Sequence, residues 1–126
     1  VKQVSILEQR EDTQVDLARL ADLGRRLGQP DADAVVCRAM EELAQRIART
    51  DAHCRAGALD QAAASARSMV AMAEQLGMVR LARVAADVAR CARGGDRTAL
   101  AATRARLLRV GERSLHEIWQ AQDLSI

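Results

Sequence analysis

The sequence predicts an all-α fold, an antiparallel four-helix bundle with an additional N-terminal helix. Three observations predict it. Ala, Leu and Arg dominate the chain, and these residues lose little conformational freedom in a helix. Phe and Tyr are absent and Trp119 is the only aromatic residue, so the composition is poor in strand formers. Apolar residues recur three or four apart in one segment after another, with Gly or Asp at the joints. At 126 residues, 49% apolar and 29% charged, the chain fits one globular domain. Residues 1–14 lack a sustained period and read as a leader, loose or with a short helix, leaving 15–126 as the single helical domain.

The elements follow in order. Leu17, Leu20, Leu23 and Leu27 form one stripe on a first helix, which Gly28, Gln29 and Pro30 should end. Asp31 or Asp33 should cap the second helix by accepting a bond from an orphan amide. Val36, Met40, Leu43 and Ile47 continue it towards Gly57. A third helix is expected from about Asp60, with Ala62, Ala63, Ala66, Met69, Ala73 and Leu76 inward and Gly77 as its stop. A fourth carries Leu81, Val84, Val88 and Cys91 and ends at Gly94 and Gly95. Asp96 should cap a fifth, which holds Leu100, Leu107, Leu108, Leu115 and Ile118 and reaches Trp119. Gly111 lies inside that helix, at a penalty of roughly 1 kcal/mol against Ala, so it marks a close contact or a bend. Short connections favour antiparallel neighbours, and the bundle proper should span about residues 33–120.

Composition narrows the function classes. The 19 basic and 17 acidic side chains nearly cancel, and no basic stripe interleaved with aromatics appears, so nucleic acid is not an expected partner. Apolar runs are too short and broken to cross a membrane, and none is expected as a partner. Cys37, Cys54 and Cys91 are odd in number, far apart and without a CxxC pair, which reads as reduced thiols of a cytoplasmic protein. His53, Cys54 and Cys37 do not have zinc-site spacing, so neither a metal nor a cofactor is expected. No Gly-rich phosphate loop and no nucleophile–base pair occurs, so the chain does not read as an enzyme. Glu41 and Glu42 are adjacent, point to different sides of a helix and form no dyad.

The stretch from Ala66 to Asp96, ARSMVAMAEQLGMVRLARVAADVARCARGGD, resembles the signature region of the histidine phosphotransfer family of two-component phosphorelays. That family's pattern is roughly A-H-S-L-K-G-x-x-x-x-L-G, followed by a helix of the form xxLAxxxxxLExxxxxGD. Ser68 and Met69 stand at the S-L positions, and Leu76 and Gly77 at the L-G positions with the same spacing. Leu81, Ala82 and the Gly95-Asp96 turn match as well. The likeness extends in pattern over about residues 15–120 and is specific only over the middle thirty. It implies a phosphotransfer-like bundle whose third helix meets a receiver domain.

The departures fall on the chemistry. Arg67 occupies the place of the phosphorylated histidine, Val70 that of the usual Lys, Ala71 that of the usual Gly, and Ala89 that of a later Glu. Phosphate transfer from an aspartyl phosphate needs a neutral imidazole nitrogen as nucleophile. A guanidinium keeps its proton and offers only donors, so Arg67 cannot accept phosphate by that route. The resemblance therefore implies a pseudo-phosphotransfer module that binds a receiver domain or a histidine kinase without carrying phosphate. Its partner-binding residues would be Arg67, Ser68, Val70, Ala71, Glu74 and Gln75, with no catalytic residue. Val70, in the family's register, should be exposed and should form a small sticky patch with Met69 and Met72.

Plainer readings stand beside this one. Arg67 also fits a solvated arginine on the polar side of its helix, shared with Asp60, Ala64 and Ser68. A structural or oligomerisation bundle, a homodimer among its forms, is a second reading. A third is phosphotransfer through His53, which with Gly57 mimics an H-x-x-x-G fragment, or through His116 near the end of the last helix.

Overall fold

A computed structural model describes residues 15–124 and places 91% of them in helix, in five helices. The expected leader, 1–14, lies outside the described residues. Helix α1 (Leu17–Leu27) opens on Asp16, whose side chain accepts a hydrogen bond from the Ala18 amide at 3.0 Å. Its leucine stripe is only partly covered. Leu20 and Leu23 pack against the core, Leu17 and Leu27 are exposed, and no residue of α1 is fully buried.

Gly28, at φ 81°, turns the chain into α2 (Gln29–Ala56). The expectation that Gln29 and Pro30 stop the first helix and that Asp31 or Asp33 caps the second is corrected here. Gln29 and Pro30 already belong to α2, and no side chain caps it. The reason is that first-turn amides have no intrahelical partner, so proline sacrifices nothing there. Asp31 sits in that first turn, where its charge suits the helix dipole, and Asp33 accepts a 2.8 Å bond from Gln29. Val36, Met40, Leu43 and Ile47 are buried as the periodicity predicts, and Thr50 joins them, its hydroxyl donating to the Arg46 carbonyl.

Helix α3 (Leu59–Gln75) follows a two-residue turn at Gly57 and Ala58, and α4 (Val79–Gly94) follows the turn around Gly77. All six residues expected on the inner face of α3 are buried. Gly77 does more than stop that helix. At φ 76° it accommodates the turn, and a Cβ there would lie 2.5 Å from the Asp16 carbonyl oxygen. Its own carbonyl accepts from the Asp16 amide at 2.6 Å, which ties the start of α1 to the end of α3.

Helix α5 (Arg97–Leu124) begins after Asp96, whose carboxylate accepts from the Ala99 amide at 3.0 Å, the cap the sequence indicated. Its apolar residues divide. Leu100, Leu107, Val110 and Ile118 are buried, Leu115 is half-buried, and Leu108 and Trp119 are exposed. Adjacent residues point about 100° apart, so Leu107 and Leu108 cannot both face the core. Gly111 marks a close contact: a Cβ there would stand 2.8 Å from the Cδ1 of Ile47 on α2.

Contacts run α2–α3, α3–α4, α4–α5 and back from α5 to α2, so the four long helices close a ring, with α1 laid on α2. The α3–α4 pair is the most extensive. Four buried alanines on α3 (Ala62, Ala63, Ala66, Ala73) and four on α4 (Ala82, Ala85, Ala89, Ala92) explain it, because methyl side chains let two helices approach closely. No helix of the described residues is long and apolar enough to cross a membrane.

Candidate partner-docking face

The candidate face is the outer side of α3, and its exposure follows from the inner side. Ala62, Ala66, Met69 and Ala73 fall on one stripe directed into the bundle. Residues out of phase with that stripe must point outward, and Asp60, Ala64, Arg67, Ser68, Ala71, Glu74 and Gln75 are all exposed. Of the six residues expected to bind a partner, five therefore share an open face.

Val70 is the exception and a correction. It is half-buried and packs against the core. Met69 is fully buried and Met72 half-buried, so the expected sticky patch of Met69, Val70 and Met72 does not form. The cause is the breadth of the buried stripe: in a ring of four helices α3 meets neighbours on two flanks, and Val70 lies on one of them.

Arg67 stands in plain surroundings. Ala64 and Ala71, at i−3 and i+4, are exposed methyl groups, and Ser68 is no taller. Ser68 turns inward along the helix, its hydroxyl donating to the Ser65 carbonyl at 2.7 Å. Arg67 makes no hydrogen bond or ion pair with another described residue. The acidic residues of its face, Asp60 and Glu74, lie seven positions to either side, about 10 Å of helix rise away. The guanidinium therefore presents an uncompensated charge and its full fork of donors above a low, small-residue surface.

One side of the face is bounded by a feature that periodicity did not reveal. A groove of about 890 Å³ runs between α1 and α3, and its lining includes Ala71, Glu74 and Gln75 from α3 and Arg19, Asp22 and Arg26 from α1. Arg19 donates to the Glu74 carbonyl and lies 3.8 Å from the Asp16 carboxylate. Nothing local in the sequence connects residue 19 with residue 74. The only signal was the arginine and aspartate content of the polar side of α1. The opposite side is edged by Arg46 of α2, which pairs with Glu42 at 2.6 Å and approaches the Ser68 carbonyl at 3.5 Å.

The remaining titratable groups do not gather at this face. His53 is half-buried at the end of α2, where its carbonyl accepts from the Ala58 amide, and His116 is exposed on α5. Glu41 and Glu42 are both exposed on α2. Asp51 of α2 pairs with Arg104 of α5 at 2.5 Å and with Arg55 at 3.1 Å. Cys54 lies close by, and burial pushes its thiol pKa up; the Asp51 carboxylate adds to this and Arg104 offsets part of it. Cys37, Cys54 and Cys91 are all free and half-buried. Among the described residues no three His, Cys, Asp or Glu side chains come together as a metal site would require. No protein-family model matches the chain, and no curated protein and no solved structure matches it either.

Proposed function

We propose that the chain is a pseudo-phosphotransfer module, which docks a receiver domain or a histidine kinase through the outer face of α3 and carries no phosphate itself. The observation that supports this reading most directly is Arg67: exposed, unpaired among the described residues, and set among small residues at the place where the resembling family puts its imidazole. A receiver's phosphorylation pocket is acidic, and a solvent-facing guanidinium with five donors is a suitable anchor for such a pocket. Ser68, Ala71, Glu74 and Gln75 surround it on the open face, while half-buried Val70 would contribute little.

The test is a binding titration of this chain against a panel of receiver domains and kinase dimerisation domains, each receiver with and without beryllofluoride. At least one partner should bind, and Arg67→Glu should weaken that complex by tenfold or more, with the helical circular-dichroism signal unchanged. In a parallel incubation with phosphorylated receivers, no label should appear on the chain. Label on His53 or His116 would replace this proposal with phosphotransfer through an unconventional histidine. Binding that ignores Arg67→Glu would remove α3 as the docking helix.

A further inference from the structure

A second surface stands apart from the α3 face. Charge is divided unevenly along the bundle: residues 79–124 hold nine arginines against five carboxylates, whereas residues 15–78 hold eight against nine. Within the basic half, α5 gathers Arg106, Arg109, Arg113 and His116 at steps of three, four and three, all exposed. At about 100° per residue these four fall within about 80° of one another, a single outward row. None of the three arginines makes an ion pair or hydrogen bond with a described residue. Arg19, Arg25, Arg26, Arg46, Arg55, Arg90 and Arg104, by contrast, all lie beside carboxylates.

Parallel to this row runs an apolar one. Leu108 and Trp119, eleven positions apart and therefore nearly in line along the helix, are 37% and 57% exposed. Exposed apolar residues scattered singly need no explanation, but an indole and a leucine in line beside an unpaired guanidinium row form a pattern.

We infer that the outer face of α5 adsorbs to an anionic lipid surface, with Arg106, Arg109 and Arg113 on lipid phosphates and Trp119 and Leu108 at the boundary with the acyl chains. Indole favours that boundary, and each arginine near an anionic leaflet adds to the attraction. Cationic and apolar residues side by side along one helix face match the layering of a headgroup region. Duplex or single-stranded nucleic acid fits less well, since Trp119 is the chain's only aromatic and offers no series of stacking platforms. Lying on a membrane surface is distinct from spanning it, for which no described helix is suited. Glu112, exposed between the two rows, opposes adsorption and supplies a second handle for testing it.

The full chain is titrated with vesicles of mixed phosphatidylserine and phosphatidylcholine, with vesicles of phosphatidylcholine alone, and with a duplex oligonucleotide. Trp119, the only fluorescent aromatic, reports its own transfer from water. A blue shift and co-sedimentation are expected with phosphatidylserine vesicles only, reversed by added salt. The triple variant Arg106→Gln/Arg109→Gln/Arg113→Gln should partition roughly a hundredfold more weakly, and Glu112→Lys should partition more strongly. Absence of a shift on phosphatidylserine vesicles, equal binding to neutral ones, or indifference to these substitutions overturns the inference. A response to the oligonucleotide alone overturns it in favour of nucleic acid.

Discussion

The two seams that close the bundle on opposite sides are built differently. Between α3 and α4 the contact is extensive, and the two helices bury alanines on each side. Between α2 and α5 the contact is smaller, and it is made of unlike pieces: Gly111 against Ile47, the Asp51–Arg104 ion pair at 2.5 Å, and a long Cys37–Gln122 contact at 3.8 Å. Close packing of small side chains tolerates little change in volume, whereas a seam of separate pairs can lose one and keep the rest. The candidate docking helix α3 belongs to the first seam, so its face is held by the least adjustable part of the molecule.

The largest expected effect breaks the first seam. Ala66 is fully buried on α3, one residue before Arg67. Ala66→Leu adds three carbons where no space is left, and should lower stability by about 3 kcal/mol, read from the urea midpoint. If the α3–α4 contact were loose, the midpoint would barely move. Docking by α3 should suffer with it, because the backbone that carries Arg67 would be displaced.

The second seam should yield less. Arg104→Ala removes one of two cations from Asp51, which is 15% exposed in its side chain, and leaves Arg55 in place. A loss of about 1.5 kcal/mol is expected, the usual worth of a hydrogen bond to a charged group. The same change bears on Cys54, whose raised thiol pKa Arg104 partly offsets. Because the folded thiol holds its proton more tightly than the unfolded one, this contribution to stability is complete below pH 9.0 and declines as pH climbs from there to the folded value. Denaturation midpoints measured across that range should fall, more steeply in Arg104→Ala and not at all from this source in Cys54→Ala.

Ser114 offers a smaller effect of opposite sign. Its hydroxyl is fully buried on α5 with no hydrogen-bond partner among the described residues, so it bears a desolvation penalty with no return. Ser114→Ala should raise stability by about 1 kcal/mol, visible as a higher midpoint at an unchanged slope.

How much of this was legible in the sequence depends on the range of the cause. The inner face of α3, the Asp96 cap and the glycine turns are fixed within one or two helical turns, and each is found where the residues indicated. Leu107 and Leu108 are both leucines, and only the phase of the whole helix separates them. Pro30 read as a terminator because its effect depends on where a helix begins, which the capping aspartates obscured. The burial of Val70 and the groove between α1 and α3 depend on neighbours far along the chain: residue 19 meets residue 74, and no local pattern records that meeting. Of the candidate site, the exposed polar row was readable, and its surroundings were not.

The smallest expected effect sharpens the contrast between the seams. Gly111→Ala places a methyl 2.8 Å from Cδ1 of Ile47, which on its face resembles the clash at Ala66. Two features separate them. The obstructing atom is the free end of a branched side chain that can rotate by a few tenths of an ångström, and alanine recovers roughly 1 kcal/mol of helix propensity over glycine. The opposing terms should leave stability within about 0.5 kcal/mol of the parent. A loss as large as that of Ala66→Leu would show that α2 and α5 are locked as tightly as α3 and α4, and that the division between a rigid and an adjustable seam is false.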